Sequence, residues 1–393
     1  MRLLAGGGAA MGLSACGELP RGEPVPRAAA TRATVLGLPN ERFHPVIDMK
    51  LIEAELAQAA ERRARFHGVT RAADMPPYEM LAVSGGGENG AFGAGLLCGW
   101  SEQGSRPVFD WVTGVSTGAL TAPFAFLGTA YDPQLREVYT GITTRDVLRP
   151  RGLIAALNDD ALADNAPLFA TISRYLDDRM VRDIARAYGE GRLLLIGTSD
   201  LDAQLGVIWN IGAIAASGHP RATDTIRRIL LASAAIPGAF PPTMFDVTLD
   251  GRPYQELHVD GGAFAQAFLY PPSLTAQRRQ RTAAGQRVVK AEAYVIRNGR
   301  LDPNWSRTER QTLGIIGRAI DTMITMSGAN DVMRIYNATR ADGIGFNLAY
   351  IGDDFTQVSP QPFDNPYMRS LFDFAYARAR QGYPWAKKPP FGV

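Results

Sequence analysis

Cysteine and histidine are scarce in this sequence, and their scarcity excludes several kinds of site. The 393 residues include two cysteines, Cys16 and Cys98, and four histidines. Two cysteines cannot build the disulfide framework of a small secreted domain. So few cysteines and histidines also offer no cluster with the spacing of a structural zinc site. We therefore expect no metal site.

Excess charge of one sign is also missing. The 41 lysines and arginines nearly balance 39 aspartates and glutamates, which leaves a formal net charge of +2. Short basic runs occur at residues 62–65 and 278–281, without an accompanying pattern of aromatic residues. Such runs are more typical of solvated helix faces than of a nucleic-acid surface. We expect no nucleic-acid partner, and the 46% hydrophobic content predicts a folded protein.

The first sixteen residues, MRLLAGGGAAMGLSAC, have the layout of a secretory signal. The segment is too short and too weakly apolar to span a bilayer. Its end, Leu13-Ser14-Ala15-Cys16, resembles the lipobox of bacterial lipoproteins, which implies cleavage before Cys16 and a lipid anchor on that residue. Because Gly17 and not aspartate follows, the resemblance implies a cell-envelope lipoprotein of the outer membrane. The alternative is a flexible N-terminus with a chance cysteine.

The rest of the chain divides at about residue 76. Residues 17–75 begin rich in proline and glycine and continue with the apolar spacing of a helix at 46–66, so we expect a tether and a helical arm. Residues 76–393 alternate strand and helix patterns, with paired strands predicted at 192–202 and 206–217 and terminal helices at 308–329 and 364–382. This rhythm predicts one α/β domain with a mostly parallel central sheet flanked by helices on both faces.

The sequence Gly114-Val115-Ser116-Thr117-Gly118 matches the pattern G-x-S-x-G. An apolar strand precedes it and a helix follows it. In this context the serine occupies a sharp, strained turn, and the glycines let neighbouring backbone approach closely. The pattern makes Ser116 a candidate nucleophile.

A second glycine-rich turn lies between strand and helix at residues 82–97, where six of sixteen residues are glycine. The backbone N–H groups of Gly85, Gly86 and Gly87 and the following helix N-terminus suit an oxyanion or a phosphate equally well. A dinucleotide site would need an acidic residue at the end of a second strand about twenty residues later, and a P-loop would need a following lysine. Neither is present, so we expect no nucleotide cofactor.

A serine nucleophile needs a base, and two candidates lie on one predicted strand, LHVDGG. His258 and Asp260 are two residues apart, so strand alternation places them on one face. Asp260 stands nearer the strand end, where α/β folds bind ligands. The plainer interpretations are an Asp-Gly turn and a surface histidine at the end of a strand.

The glycine loop, the G-x-S-x-G turn and the distant Asp260-Gly261-Gly262, in this order, resemble the patatin-like phospholipases. The stretches GTSDLDAQLGVIWNIGAIAASG, ILLASAAIPGAFPP and HVDGGAF resemble the family's further conserved blocks. The resemblance implies a three-layer α/β/α fold and a Ser-Asp dyad, with Ser116 as nucleophile, Asp260 as base and the backbone of Gly85, Gly86 and Gly87 as oxyanion hole. His258 then becomes an auxiliary group or a surface residue.

The glycine loop departs from the family pattern at Ser84 and Asn89, where the family has aspartate and a basic residue. The resemblance nevertheless implies a serine acyl hydrolase for lipid carboxylic esters, of the phospholipase A or lysophospholipase kind. Its partners would be a lipid ester substrate and, through the anchor, a membrane surface. We expect some of Phe124, Phe126, Ile236 and Phe240 to line an acyl-chain pocket. The alternative is a catalytically idle, lipid-binding envelope lipoprotein that retains the fold.

Overall fold

A computed structural model describes residues 19–45, 47–71, 74–152, 159–271, 275–286, 288–303 and 305–391. The predicted signal segment and Cys16 lie outside these residues, so the anchor remains a prediction. Among the helices of the described residues, none has both the length and the apolarity to cross a membrane.

Nine of the described strands form the central sheet. The strands of the chain are β1 (Arg42–Phe43), β2 (Tyr78–Val83), β3 (Trp111–Val115), β4 (Arg149–Pro150), β5 (Ala163–Asp164), β6 (Leu193–Asp200), β7 (Leu205–Asn210), β8 (Thr243–Leu249), β9 (Arg252–Asp260), β10 (Ala291–Arg297) and β11 (Gly345–Tyr350). β4 and β5 make a separate two-stranded ribbon.

The centre of the sheet is parallel and its margin is antiparallel. The strand order is β1-β7-β6-β3-β2-β10-β11, with β9 added to β6 and β8 added to β9. The five strands from β6 to β11 run parallel, whereas β1, β7, β8 and β9 pair antiparallel. The sheet is mixed, and its central strands are mostly parallel, as predicted.

Helices cover both faces of this sheet. The α-helices are α1 (Met49–Phe66), α2 (Gly90–Gln103), α3 (Thr117–Leu127), α4 (Asp132–Gly141), α5 (Thr144–Val147), α6 (Ala166–Tyr175), α7 (Asp178–Gly189), α8 (Ile211–Ala216), α9 (Ala222–Ser233), α10 (Ala276–Ala283), α11 (Thr312–Ala341) and α12 (Asn365–Arg380). Short 3-10 helices lie at Arg27–Ala29, Gly87–Asn89, Thr129–Tyr131 and Gly261–Ala263.

Each face of the sheet has its own hydrophobic core. Alternate residues of β2 point to opposite sides, so Leu81 packs under α2, α3 and α12 while Ala82 packs under α1 and α11. The parallel strands are therefore buried on both faces, as their continuous apolar runs require. This arrangement is the predicted three-layer α/β/α architecture.

The predicted strand at 206–217 is wrong in its second half. β7 ends at Asn210, whose side-chain oxygen accepts a hydrogen bond of 3.1 Å from the N–H of Ala213 and starts α8. Asparagine is a preferred N-cap residue, and the cap at Asn210 starts a helix where the apolar residues after it had suggested a continued strand. The predicted helix at 308–329 also extends further, since α11 runs to Ala341.

The N-terminal arm is part of the folded body over its described residues. β1 joins the edge of the sheet, where Arg42 makes a buried bidentate ion pair with Glu256. Arg63 of α1 reaches the start of β3, and its Nε lies 2.6 Å from the Asp110 carboxylate. The Asp110 carboxylate also accepts the N–H of Glu79 at 2.9 Å, so the arm is tied to two central strands.

We predict that Arg63→Ala lowers the free energy of unfolding by about 3–5 kcal/mol, because it leaves the Asp110 charge buried without its partner. Denaturant unfolding measures this loss. Arg65→Ala, on the exposed side of the same helix, is the control and should change stability by less than about 0.5 kcal/mol. Equal effects of the two substitutions would contradict a structural role for the arm.

Candidate active site

Ser116 occupies a strained turn between β3 and α3. Its φ of 57° and ψ of −128° lie in a region that residues with a side chain seldom adopt. The turn is possible because Gly118 packs against β2, where a methyl group would lie 2.2 Å from the carbonyl oxygen of Val83. The G-x-S-x-G sequence therefore forms the strand-turn-helix that its pattern predicts.

A serine that the sequence analysis did not identify holds this turn. The hydroxyl of Ser233, at the end of α9, accepts the N–H of Ser116 at 3.0 Å and donates to the carbonyl of Gly197 at 2.6 Å. Ser233 is fully buried. It links the turn to β6, so the strained backbone has a fixed hydrogen-bonding partner.

Asp260 reaches Ser116 because two strands share one edge of β6. β3 pairs with β6 as far as Val115, which lies opposite Gly197. From the next residue of β6 onward the same edge pairs with β9, and Asp260 lies opposite Thr198. β3 is parallel to β6 and β9 is antiparallel to it, so the two carboxyl ends meet. The structure thus brings the predicted nucleophile and the predicted base together.

The Asp260 carboxyl group is buried and lies close enough to the Ser116 hydroxyl for this group to affect its pKa. The carboxyl group also accepts the N–H of Gly262 at 2.7 Å. Burial disfavours the charged form and raises the pKa of Asp260 to about 7, although the Ser116 hydroxyl and the Gly262 N–H act in the opposite direction. A carboxylate with this pKa is a much better base near neutral pH than an exposed aspartate.

The glycine loop provides two unused amides. The N–H of Gly85 donates to the carbonyl of Gln266 at 3.1 Å, so it is not available to a ligand in this conformation. Among the described residues, no partner is recorded for the N–H groups of Gly86 and Gly87. Gly87 lines the same pocket as Ser116. Of the three predicted oxyanion-hole donors, the N–H groups of Gly86 and Gly87 therefore remain candidates.

The end of β10 supports the loop from behind. The backbone N–H of Asn298 donates to the Ser84 hydroxyl at 2.9 Å, and a methyl group on Gly86 would lie 1.9 Å from the Asn298 carbonyl oxygen. The Arg297 guanidinium donates to the carbonyl of Gly85 at 3.1 Å. Burial lowers the pKa of Arg297 to about 10, so the side chain is still a cation at neutral pH.

Ser84 and Asn89, the two departures from the family pattern, both have structural partners. Ser84 receives the hydrogen bond from Asn298, and the side-chain oxygen of Asn89 accepts the hydroxyl of Tyr367 at 2.6 Å. Asn89 therefore ties the loop to α12. The loop itself has no cation, but Arg297 adjoins it from β10.

A pocket leads from Ser116 into the core beside α3. Its lining is almost entirely apolar and includes Phe124, Ile236 and Phe240, as predicted. Phe126 is fully buried and is not part of the lining. Among the described residues that line the pocket, Glu88, next to Gly87, is the one charged side chain.

His258 is a buried structural residue, and the interpretation as a surface histidine is wrong. Its ring nitrogens lie 2.9 Å from the Thr198 hydroxyl and 3.2 Å from the Glu256 carboxylate. Both nitrogens are thus engaged away from Ser116.

Asp200, Glu256 and His258 have potential ligand atoms within 4.8 Å of one another, a spacing that could suit a metal ion. The positive charge at this position is already provided by Arg42. Burial alone would raise the pKa of Glu256, but the Arg42 charge and the hydrogen bonds from Arg42 and His258 lower it to about 2. Arg42 therefore compensates the charge of Glu256 without a metal.

Residues 81–270 match the patatin-like phospholipase family. The matched segment is slightly less than half of the chain and contains the glycine loop, Ser116 and Asp260. This segment is similar to a patatin-like phospholipase domain.

Two solved structures resemble the chain remotely. VipD from Legionella pneumophila is 11% identical over 78% of this chain and 67% of its own, with a TM-score of 0.37. Human GIVD cytosolic phospholipase A2 is 12% identical over 83% of this chain and 53% of its own, with a TM-score of 0.31. This chain therefore spans about half the length of the human enzyme. Likeness of this degree carries no inference about activity, and a search of curated proteins finds no match.

The pKa of Asp260 predicts a pH-dependent stability. Folding raises it from about 3.9 to about 7, so the contribution of this group to stability is full below pH 4 and is lost as the pH rises through 7. Asp260→Asn cannot ionise. We therefore predict that the unfolding free energy of this variant, relative to that of the wild type, rises by up to about 4 kcal/mol as the pH increases from 4 to 8.

Urea unfolding across this pH range measures the difference. Asp246→Asn, at an exposed position on β8, is the matched control and should follow the wild type at every pH. A constant difference between Asp260→Asn and the wild type would show that Asp260 does not titrate as the structure indicates.

Proposed function

We propose that the protein hydrolyses carboxylic esters of lipids, with Ser116 as nucleophile and Asp260 as base. The observation that carries this proposal is the juxtaposition of the strained Ser116 and the buried Asp260 carboxylate at the edge of β6. The family match supports the reaction class. A hydroxyl becomes nucleophilic only when a neighbouring base takes its proton, and this pair is the arrangement that does so.

The reaction has two halves. Asp260 accepts the proton of the Ser116 hydroxyl as the serine oxygen attacks the ester carbonyl carbon, and the N–H groups of Gly86 and Gly87 stabilise the oxyanion. Asp260 then gives its proton to the departing alkoxide, which leaves as an alcohol. In the second half Asp260 accepts a proton from the water that attacks the acyl-enzyme and passes it to the departing Ser116 oxygen, so that the fatty acid is released and the free serine is regenerated.

The apolar pocket is suited to the acyl chain of the substrate. It begins at Ser116 and continues between aliphatic and aromatic side chains, which favour a hydrocarbon over a headgroup. Glu88, which lines the pocket, would repel an anionic group from it. An anionic headgroup would therefore bind outside the pocket.

We predict that a fluorophosphonate ester probe labels the wild type and that Ser116→Ala abolishes labelling. Asp260→Asn should lower ester turnover by about 10²–10⁴-fold, the usual contribution of a positioned base. Ser217→Ala and Asp246→Asn, both at exposed positions, are controls that should retain full activity. A folded wild type that does not label would favour the catalytically idle lipid-binding protein instead.

The lipid anchor is a separate proposal based on the lipobox resemblance at Cys16. We predict that Cys16→Ser prevents lipidation, shown by the loss of fatty-acid incorporation in mass spectra and metabolic labelling. A protein that carries no lipid in its native form would contradict the anchor. The result leaves the activity of the Ser116 site unaffected.

A further inference from the structure

The N-terminal half of α11 exposes large apolar side chains. Ile315 and Ile316 are each 50% exposed, Met323 is 70% exposed and Met326 is 46% exposed. Isoleucine and methionine are among the residues most often buried, and several together on one helix make an interaction surface.

These residues lie on one side of the helix. At about 100° per residue, Ile315, Ile316, Ala319, Met323 and Met326 fall within an arc of about 100°. We call these five residues the apolar face of α11. Asp321 lies on the opposite side of the helix, and Arg318 lies outside the arc.

The apolar face begins close to the candidate active site. The second half of α11 is anchored in the core, and Gly328 packs so closely on Arg297 that a methyl group would lie 2.8 Å from the guanidinium carbon. Arg297 in turn donates to the carbonyl of Gly85 in the glycine loop. Met326 precedes Gly328 by two residues, which is less than one helical turn. It is therefore close, along the helix, to the contact with Arg297.

A further exposed apolar residue lies near the Ser116 pocket. Glu88, which lines the pocket, is close enough to Ser359, Phe363 and Asp321 of α11 for these residues to affect the pKa of its carboxyl group. Val358, next to Ser359, is 85% exposed. Val358 and the first half of α11 thus both lie near residues that line the Ser116 pocket.

We propose that the apolar face of α11, together with Val358, docks on the surface of a lipid aggregate such as a bilayer. This inference rests on the proposed function, because a lipid esterase must take an acyl chain from such a surface. The helix lies along the interface with its apolar face in the acyl boundary, as amphipathic helices do. Arg318 and Asp321 balance each other in charge, so apolar burial rather than attraction to anionic lipid drives the contact.

The test measures sedimentation of the full chain with neutral phosphatidylcholine vesicles. All proteins carry Ser116→Ala to stop hydrolysis and Cys16→Ser to remove any anchor. We predict that adding Met323→Asp and Met326→Asp weakens vesicle binding at least about tenfold. Val108→Asp, at a 70% exposed position just before β3 at the opposite end of that strand from Ser116, is the matched control and should bind as the parent does.

A second measurement uses the same aspartate pair in the otherwise unaltered enzyme. Hydrolysis of a water-soluble short-chain ester should stay within about twofold of the wild type, whereas hydrolysis of vesicle lipid should fall at least about tenfold. Equal vesicle binding by parent and variant, or equal loss on both substrates, would overturn the docking surface. So would a lipid-free dimer that the aspartate pair converts to a monomer, since a second copy would then cover the face.

The two proposals fail in different ways. Vesicle binding by the wild type without turnover of any ester would refute the hydrolase and leave the docking surface in place. Turnover of the soluble ester without vesicle binding would refute the docking surface and leave the hydrolase in place.

Discussion

One edge of β6 determines the geometry of the site. A parallel strand, β3, and an antiparallel strand, β9, occupy this edge one after the other, so their carboxyl ends meet at Gly197 and Thr198 of β6. Ser116 leaves the end of β3, and Asp260 ends β9. Their contact therefore follows from strand pairing, and it needs no further loop to bring the side chains together.

Both members of this pair are held in unfavourable states by their surroundings. Ser116 has a strained backbone, and the Asp260 carboxylate has little exposure to water. The strain persists because Ser233 fixes the amide of Ser116 and because Gly118 lets α3 pack onto β2. The hydrophobic cores on the two faces of the sheet stabilise the fold and offset the strain at Ser116 and the burial of Asp260.

α11 links chemistry and docking in one element. Its second half holds the segment after Asp260 through the Asp331 carboxylate, which accepts the N–H of Gln266 at 2.6 Å, and Gln266 in turn receives the N–H of Gly85. Its first half carries the apolar face. A lipid surface that contacts the first half would thus lie beside a helix that also supports the glycine loop, without any need for the catalytic residues to move.

The local parts of this protein were predictable from its sequence, since their signals lie within a few residues. G-x-S-x-G specifies the turn at Ser116, and alternating strand and helix patterns specify three layers. The family resemblance implied a pairing of Asp260 with Ser116 across 144 positions of chain, and the structure places these two residues close together. Only the tertiary structure decided that the N–H of Gly85 donates to the carbonyl of Gln266, that His258 is buried, and that Arg297 adjoins the glycine loop. Such contacts depend on strand order and long-range packing, for which a local pattern carries no signal.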